Sequence, residues 1–256
     1  MSTNRYFIEF SYDGSLYHGF QKQLNAITVQ EIMENAISTI LRERVDIISA
    51  GRTDTGVHAI NMFAHFDYDI ISKIEESNLC YLLNRLLPAD IVIKAIHKVK
   101  PDSHSRFDAI SRTYEYYITD TKNPFNHRYR YYLSDKLDYN AMNKASKILY
   151  EYEDFKCFSK SNTDVKTYNC NITNANWVKS DEDWKFTITS NRFLRNMVRS
   201  IVGTLIEIGK GKSIKELNKI IQSKDRRNAG YSVPAEGLFL KEIKYDKKIF
   251  IESWKE

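Results

Sequence analysis

The segment from Ala50 to Ala59 reads AGRTDTGVHA and concentrates polar side chains between two glycines. Arg52, Thr53 and Asp54 follow a short hydrophobic run that predicts a buried strand. The glycines allow the backbone to turn sharply, so these side chains would project from a rigid support. A carboxylate held beside guanidinium groups stays ionised and can act as a nucleophile or base. An ordinary turn closing a hairpin would contain the same residue types, and the segment alone leaves both interpretations open.

Two segments of the second half carry rings that could contact a nucleic acid. A predicted strand places Tyr114, Tyr116 and Ile118 on one face. Aromatic faces stack on bases, although most tyrosines on strands pack in a core. The run RYRYY at 128–132 alternates cations with rings, which suits phosphates and exposed bases but also occurs on ordinary sheet edges.

Three arginines, Arg192, Arg195 and Arg199, lie within eight residues, on or next to a helix predicted from about Phe193. We place Arg195 and Arg199 at the border of its apolar stripe. A guanidinium in that position could reach a buried anion or a ligand phosphate. It could also extend along the helix surface into water.

The sequence lacks the motifs that are typical of several other classes of functional site. The six histidines show no metal-ligand spacing, so a metal site is not expected. The sequence has no phosphate-binding loop, dinucleotide fingerprint or serine-esterase motif. The three cysteines are far apart and odd in number, which favours reduced thiols in a cytoplasmic protein.

Composition and charge fit a globular protein that binds a polyanion. Of 256 residues, 42% are hydrophobic and 28% charged, and no apolar run reaches the roughly 18 residues of a membrane helix. No export signal is recognisable, so we expect a cytoplasmic protein without a membrane partner. Residues 1–105 carry a net charge of −3 and residues 106–256 a net charge of +8. Nucleic acid would suit the basic half, but a solvated lysine-rich surface gives the same count.

The elements that must position these residues follow from hydrophobic periodicity and capping signals. Strands are predicted at 6–12, 45–49, 62–69, 91–99, 113–119, 166–178, 184–190 and 238–245. Helices are predicted at 29–41, 79–87 and 139–150, from about 193, and from the capping box at 213–216. Each half then follows the order β-α-β-β-α-β, with an extra helix in the second. We therefore predict an α+β fold of two ferredoxin-like halves, domains 1–105 and 106–256, that join their sheets around a central RNA-binding cleft.

The motifs together resemble one family, the tRNA pseudouridine synthases of the A type. The segments that carry the resemblance run in order from about Tyr6 to Leu240 and are YDGS at 12–15, GFQ at 19–21, GRTDTGVHA at 51–59, HSRF at 104–107, RTY at 112–114, FLRNMVR at 193–199 and PAEGL at 234–238. Phe20 stands where the family usually has Trp, and Thr55 where it usually has Ala. Neither departure removes a charged group.

The resemblance implies isomerisation of uridine to pseudouridine at tRNA positions 38, 39 and 40, in the anticodon stem and loop. Asp54 would be the catalytic nucleophile, and the target base would be flipped from its stack onto Tyr114. Arg199 would pair with Asp54, and Arg52 would fill the space left by the base or bind its phosphate. The resemblance also implies a homodimer that binds one tRNA with both subunits, and no metal or small-molecule cofactor.

Two other function classes are compatible with parts of the sequence. A non-catalytic RNA-binding protein would not need a carboxylate in a cleft that faces phosphates, so the presence of Asp54 with Tyr114, Arg52 and Arg199 speaks against it. A hydrolase of small anionic metabolites would need a metal or phosphate-loop signature, and the sequence contains none.

Overall fold

The structure, a computed structural model, describes residues 4–68, 75–161, 165–180 and 183–251. The strands are β1 (Asn4–Tyr12), β2 (Ile48–Ser49), β3 (His58–Tyr68), β4 (Ile91–Val99), β5 (Ala109–Thr119), β6 (Tyr131–Tyr132), β7 (Ile172–Ser180), β8 (Asp183–Ser190) and β9 (Leu238–Tyr245). The helices are α1 (Val29–Leu41), α2 (Glu76–Leu86), α3 (Tyr139–Ile148), α4 (Met197–Gly209) and α5 (Lys215–Ser223). The described residues form two compact units, one up to Ile110 and from Leu240 onward, the other from Ser111 to Phe239.

The first unit is an antiparallel sheet with two helices. Strands β4, β1 and β3 lie side by side, β2 pairs with β3, and β9 also lies next to β3. The predicted N-cap of α1 is confirmed, because the Thr28 hydroxyl accepts a hydrogen bond from the Glu31 amide at 3.4 Å. Helix α2 packs against β4 and α1. The predicted end of β3 at Asp69 lies outside the described residues.

Strand β1 has one buried residue, Phe7, on the face that its sequence alternation predicts to be the more polar one. Phe7 was expected on the side opposite Tyr6 and Ile8, yet it is fully buried. Its ring packs edge-on against Tyr245 at 5.2 Å and Phe250 at 6.2 Å. The end of the chain therefore covers the second face of β1.

Because the end of the chain packs on β1, the first unit includes residues that the predicted division at 105/106 assigned to the second domain. Residues from Leu240 onward belong to the first unit, and Ile249 and Ile251 are hydrogen-bonded to the backbone at the end of β4. The division into folding domains 1–105 and 106–256 stays a prediction.

The second unit contains the antiparallel strands β5, β8 and β7 in that order, with β6 parallel to β5. Helix α3 packs against β7 and α4. All residues of α4 are buried except Arg199 and Glu207. Because α4 is surrounded by packing partners, its position is fixed by a large apolar contact.

Several predictions for the second unit were wrong in detail, including the start of the strand predicted at 113–119, which begins at Ala109. The strand expected at 166–178 begins only at Ile172. The helix expected from Phe193 begins at Met197, because Asn196 has a left-handed backbone with φ 66° and interrupts it. The capping box expected at Ser213 does not form, since the Glu216 amide bonds the Ser213 carbonyl instead of its hydroxyl.

The three cysteines are unpaired thiols, as predicted. Burial raises the pKa of Cys157 to about 12 and that of Cys170 to about 11, so both stay protonated near neutral pH. Within the described ranges, no helix has the length and hydrophobicity needed to cross a membrane. The same residues include no group of three potential metal ligands.

Candidate active site

The loop from Ala50 to Val57 connects β2 to β3 and contains Asp54. The Ala50 amide donates to the Phe63 carbonyl at 2.8 Å, and the Val57 amide closes a turn by donating to the Asp54 carbonyl at 3.1 Å. Gly56 has a φ of +78°, which favours glycine. Gly51 has no such conformation, and a Cβ there would meet no atom within 4 Å. Only the second glycine of the loop is therefore required by the backbone.

The YDGS motif at 12–15 packs directly on this loop. A Cβ on Gly14 would lie 2.0 Å from the Val57 carbonyl oxygen, so the two backbones touch. The Gly14 amide donates to Nδ1 of His58 at 3.1 Å, and the same nitrogen lies 3.0 Å from Oδ1 of Asp13. These contacts fix the C-terminal end of the loop to the residues that follow β1.

The GFQ motif fixes the middle of the loop through Thr53. The Phe20 amide donates to the Thr53 carbonyl at 3.2 Å, and the Thr53 hydroxyl lies 2.8 Å from the Tyr12 hydroxyl. Gly19 has a φ of +90°, and a Cβ there would lie 2.7 Å from the Thr53 carbonyl oxygen. Phe20 is buried against Phe10 and Tyr12, so phenylalanine fills this position without leaving it exposed.

Thr53 is the residue whose role we did not predict from the sequence. Its side chain is buried, while the neighbours Arg52 and Asp54 are exposed and half-buried respectively. Thr53 is held by Phe20 through its carbonyl and by Tyr12 through its hydroxyl. The two charged residues on either side of it are therefore presented at the surface of the first unit. No local pattern in the sequence links Thr53 to Tyr12, because the two residues are 41 positions apart.

Tyr114 lies in the second unit, in the middle of β5 and opposite Ile188 of β8. Its half-buried ring packs edge-on against Phe193, with centroids 5.1 Å apart and planes at 88°. Tyr116, two residues along, is instead fully buried and donates from its hydroxyl to the Pro234 carbonyl at 2.8 Å. Burial raises the pKa of Tyr116 well above its ordinary value. The core interpretation therefore holds for Tyr116.

Arg199 lies in the first turn of α4, half-buried. Its Nε donates to the Val233 carbonyl at 2.7 Å, and the Val233 amide returns a bond to the Arg199 carbonyl at 3.3 Å. This pair ties α4 to the segment before β9. The prediction that Arg195 lies on the helix was wrong, since this exposed residue precedes α4.

The alternating run at 128–132 divides into two kinds of arginine. Arg130 forms an ion pair with Asp183, and its guanidinium lies 4.1 Å from the centroid of the Tyr117 ring. Arg128 is exposed. Arg130 thus contributes to the packing of the second unit, and only Arg128 is presented in the way that the sequence predicted for the run.

The four predicted site residues are divided between the units. Asp54 and Arg52 lie on one loop of the first unit, whereas Tyr114 and Arg199 lie on β5 and α4 of the second. In chemical terms the first unit presents a carboxylate on a fixed loop, which suits nucleophilic or base chemistry. The second presents the half-buried ring of Tyr114 and the half-buried guanidinium of Arg199 on a packed helix.

A family profile and full-length relatives of known name agree on one protein family. The sequence profile of a family described as tRNA pseudouridine synthase matches residues 9–108 and 151–246. A tRNA pseudouridine synthase A from Bacteroides fragilis is 51% identical over 252 residues, covering 98% of this chain and 100% of the relative. Proteins of the same name from Acetivibrio thermocellus and Staphylococcus aureus are 44% and 34% identical, over 91% and 98% of this chain and 96% and 95% of the relatives.

Proposed function

Because the chain belongs to the tRNA pseudouridine synthase family, whose members are isomerases that act on uridine in tRNA, we propose that it forms pseudouridine at positions 38, 39 and 40 of the anticodon stem and loop. The observation that carries the proposal is the fixed presentation of Asp54. Its loop is held by the YDGS and GFQ motifs, so the backbone of residue 54 is in place before any substrate binds.

We propose that Asp54 is the nucleophile of the reaction. Its carboxylate adds to C6 of the uracil or to C1′ of the ribose, and the glycosidic C–N bond breaks. The base then rotates in the pocket, and C5 forms a new bond to C1′. Release of the carboxylate, transfer of the C5 proton to a base and protonation of N1 restore the ring and regenerate the free enzyme. Atoms are conserved throughout, so no cofactor is required.

The other three residues are proposed to serve the flipped uridine. Tyr114 offers a ring face for stacking and is our candidate for the base that removes the C5 proton. Its edge-on contact with Phe193 supports a fixed ring plane. Arg199 is proposed to hold the carboxylate of Asp54 in its charged form. Arg52, exposed on the same loop as Asp54, is proposed to occupy the vacated position in the stack or to bind the adjacent phosphate.

We also propose the ferredoxin-like topology, a cytoplasmic location and a homodimer that binds one tRNA across both subunits. The first unit follows the order β-α-β-β-α-β, and its antiparallel strand order β4-β1-β3-β2 is that of a split β-α-β sheet, which supports the topology. The order β5-β8-β7 supplies the corresponding part in the second unit.

The direct test is incubation of the enzyme with an unmodified tRNA transcript, followed by mapping of pseudouridine at single-base resolution. We expect the modification at positions 38 to 40 and at no other uridine. Modification confined to another arm of the tRNA would contradict the proposed specificity while leaving the family reaction in place.

Arg199→Lys should lower turnover more than affinity for tRNA. Lysine keeps the positive charge but loses the planar fork, including the Nε donor to Val233. We expect turnover on the order of tenfold lower, with a dissociation constant for tRNA changed by less than about threefold. Single-turnover kinetics and binding titrations separate the two quantities.

The control is Arg195→Lys, since Arg195 is exposed and precedes the helix. It should leave turnover unchanged. A full rate for Arg199→Lys would show that the proposed ion pair is unnecessary. If the loss of turnover were accompanied by a matching fall in melting temperature and in the fraction of folded enzyme, Arg199 would have a structural role only.

Arg128→Gln should weaken tRNA binding and flatten its salt dependence. Each phosphate contact that is lost reduces the slope of log K against log salt by about 0.7 to 0.9. Arg130→Gln should instead lower the free energy of unfolding by about 1–2 kcal/mol, because Asp183 would lose its partner while it remains largely buried. Binding titrations at several salt concentrations, with denaturant unfolding, distinguish the two. An unchanged slope for Arg128→Gln would place the RNA elsewhere.

A further inference from the structure

The turn from His104 to Asp108, hereafter the 104–108 turn, contains the HSRF motif and has no role in the proposed chemistry. Its backbone is closed on itself. The Asp108 amide donates to the His104 carbonyl at 3.0 Å, and the Asp108 carboxylate accepts from the His104 amide at 2.7 Å. The Arg106 amide donates to Nδ1 of His104 at 3.1 Å. The turn therefore has a defined conformation in the first unit.

A buried polar network anchors the turn. The fully buried Ser105 donates from its hydroxyl to the Ile48 carbonyl at 2.8 Å, and Nδ1 of the buried His65 lies 2.8 Å from the same hydroxyl oxygen. The Tyr245 hydroxyl donates to the Ser105 carbonyl at 2.5 Å. Burial lowers the pKa of His65 to about 4, so the imidazole is neutral at physiological pH. Because buried polar groups must be satisfied, this network holds the turn in place.

Two side chains of the turn project into solvent despite this anchoring. Phe107 is 73% exposed, and Arg106 is exposed beside it, with its guanidinium carbon 5.7 Å from the centroid of the Phe107 ring. The Phe107 ring also contacts the His104 ring, which is tilted by 41° at a centroid distance of 4.3 Å. A rigid turn thus displays a ring and a cation together.

We propose that Arg106 and Phe107 form a contact site for the substrate RNA, in which Phe107 stacks on an unpaired base and Arg106 binds an adjacent phosphate. The inference rests on the proposed function only in taking tRNA as the substrate. Exposed aromatic rings next to cations are the usual elements of single-strand RNA recognition, since every base has a face that can stack. A rigid support avoids the entropy cost of ordering the ring on binding.

Two observations favour RNA over a second copy of the chain. A stable protein interface needs about 800 Å² from each partner, which a two-residue projection does not supply. The turn is also bonded to β2, the strand that leads into the loop of Asp54, because Ser105 bonds Ile48. A nucleic acid bound at the turn is therefore anchored to the same substructure as the proposed nucleophile.

The experiment compares the affinity of folded variants for an unmodified tRNA transcript. Phe107→Ala should raise the dissociation constant by at least about fivefold, while Phe107→Trp, which keeps a stacking face, should remain within about threefold of wild type. The matched control is Tyr81→Ala, because Tyr81 is 58% exposed on α2 and also lies next to an arginine, Arg85. It should change binding less than twofold.

Salt dependence separates the two side chains. Arg106→Gln should flatten the slope of log K against log salt by about 0.7 to 0.9, whereas Phe107→Ala should shift affinity equally at every salt concentration. As a readout that does not depend on a truncated side chain, p-benzoylphenylalanine placed at position 107 should cross-link to tRNA on irradiation, and the same photoprobe at position 81 should not.

The proposal is overturned if Phe107→Ala binds like wild type, if Phe107→Trp loses as much affinity as Phe107→Ala, or if position 107 cross-links only to a second copy of the protein. These outcomes are separate from failure of the proposed function. An enzyme that binds tRNA through the turn but forms no pseudouridine would refute the activity alone. One that forms pseudouridine with unchanged Phe107 variants would refute only the contact site.

Discussion

Asp54→Asn should abolish pseudouridine formation while tRNA binding survives within several-fold. Asparagine has nearly the same size and can make similar hydrogen bonds, but its amide is not an anion and cannot add to the uridine, which is the role that we propose for the carboxylate. The loop that carries residue 54 is fixed through backbone groups, at the Asp54 and Thr53 carbonyls, so the substitution should leave its shape intact. Product should therefore be lost for chemical reasons and not for lack of fold.

The measurement maps pseudouridine in tRNA after prolonged incubation with excess enzyme, together with a binding titration. The matched control is Thr55→Ala, which changes an exposed neighbour on the same loop to the residue common in the family. It should retain activity close to that of wild type. If binding and activity fell together in Asp54→Asn, the residue would hold the structure and not carry out the reaction.

Gly14→Ala should impair both stability and turnover through a single added methyl group. The added carbon would lie 2.0 Å from the Val57 carbonyl oxygen, which is backbone and cannot rotate away. Relief requires the residues after β1 and the loop of Asp54 to move apart. We expect the free energy of unfolding to fall by about 3 kcal/mol, as in overpacked cores, and turnover to fall on the order of 100-fold because the loop is displaced.

Denaturant unfolding measures the free energy of unfolding of Gly14→Ala, and single-turnover kinetics measure its turnover. Gly51→Ala is the matched control for stability, since it adds the same methyl group to the same loop where no atom lies within 4 Å. Its free energy of unfolding should stay within about 0.5 kcal/mol of wild type. Equal stabilities for the two alanine variants would show that the contact between Gly14 and Val57 does not fix the loop.

Elements determined by local pattern were predictable from the sequence. Strand β4 begins and ends where the hydrophobic pattern predicted, as does β9, and Thr28 caps α1 as its spacing indicated. These features depend on periodicity and on partners a few residues away, which a single sequence displays directly. The position of Asp54 between a strand end and a hairpin glycine was predictable for the same reason.

Features that depend on distant partners were not predictable. Phe7 is buried because the end of the chain packs on it, and Arg130 is held by Asp183, 53 residues away. Helix α4 begins late because Asn196 adopts a left-handed conformation, and the Asn196 side-chain amide donates to the Ser232 hydroxyl at 2.6 Å. The tie between Thr53 and Tyr12 spans 41 residues. Sequence spacing contains no record of such pairings.

The close backbone contact between the loop of Asp54 and the two glycine motifs has a consequence for how catalysis is divided between protein and nucleic acid. A loop held at Thr53 by Phe20, and at Val57 by Gly14, cannot follow a uridine that arrives out of position. In the proposed reaction, the adjustment that brings the uridine and the carboxylate of Asp54 together must then be made by the RNA. Uridines in strands that distort easily should accordingly be the better substrates, whatever sequence surrounds them.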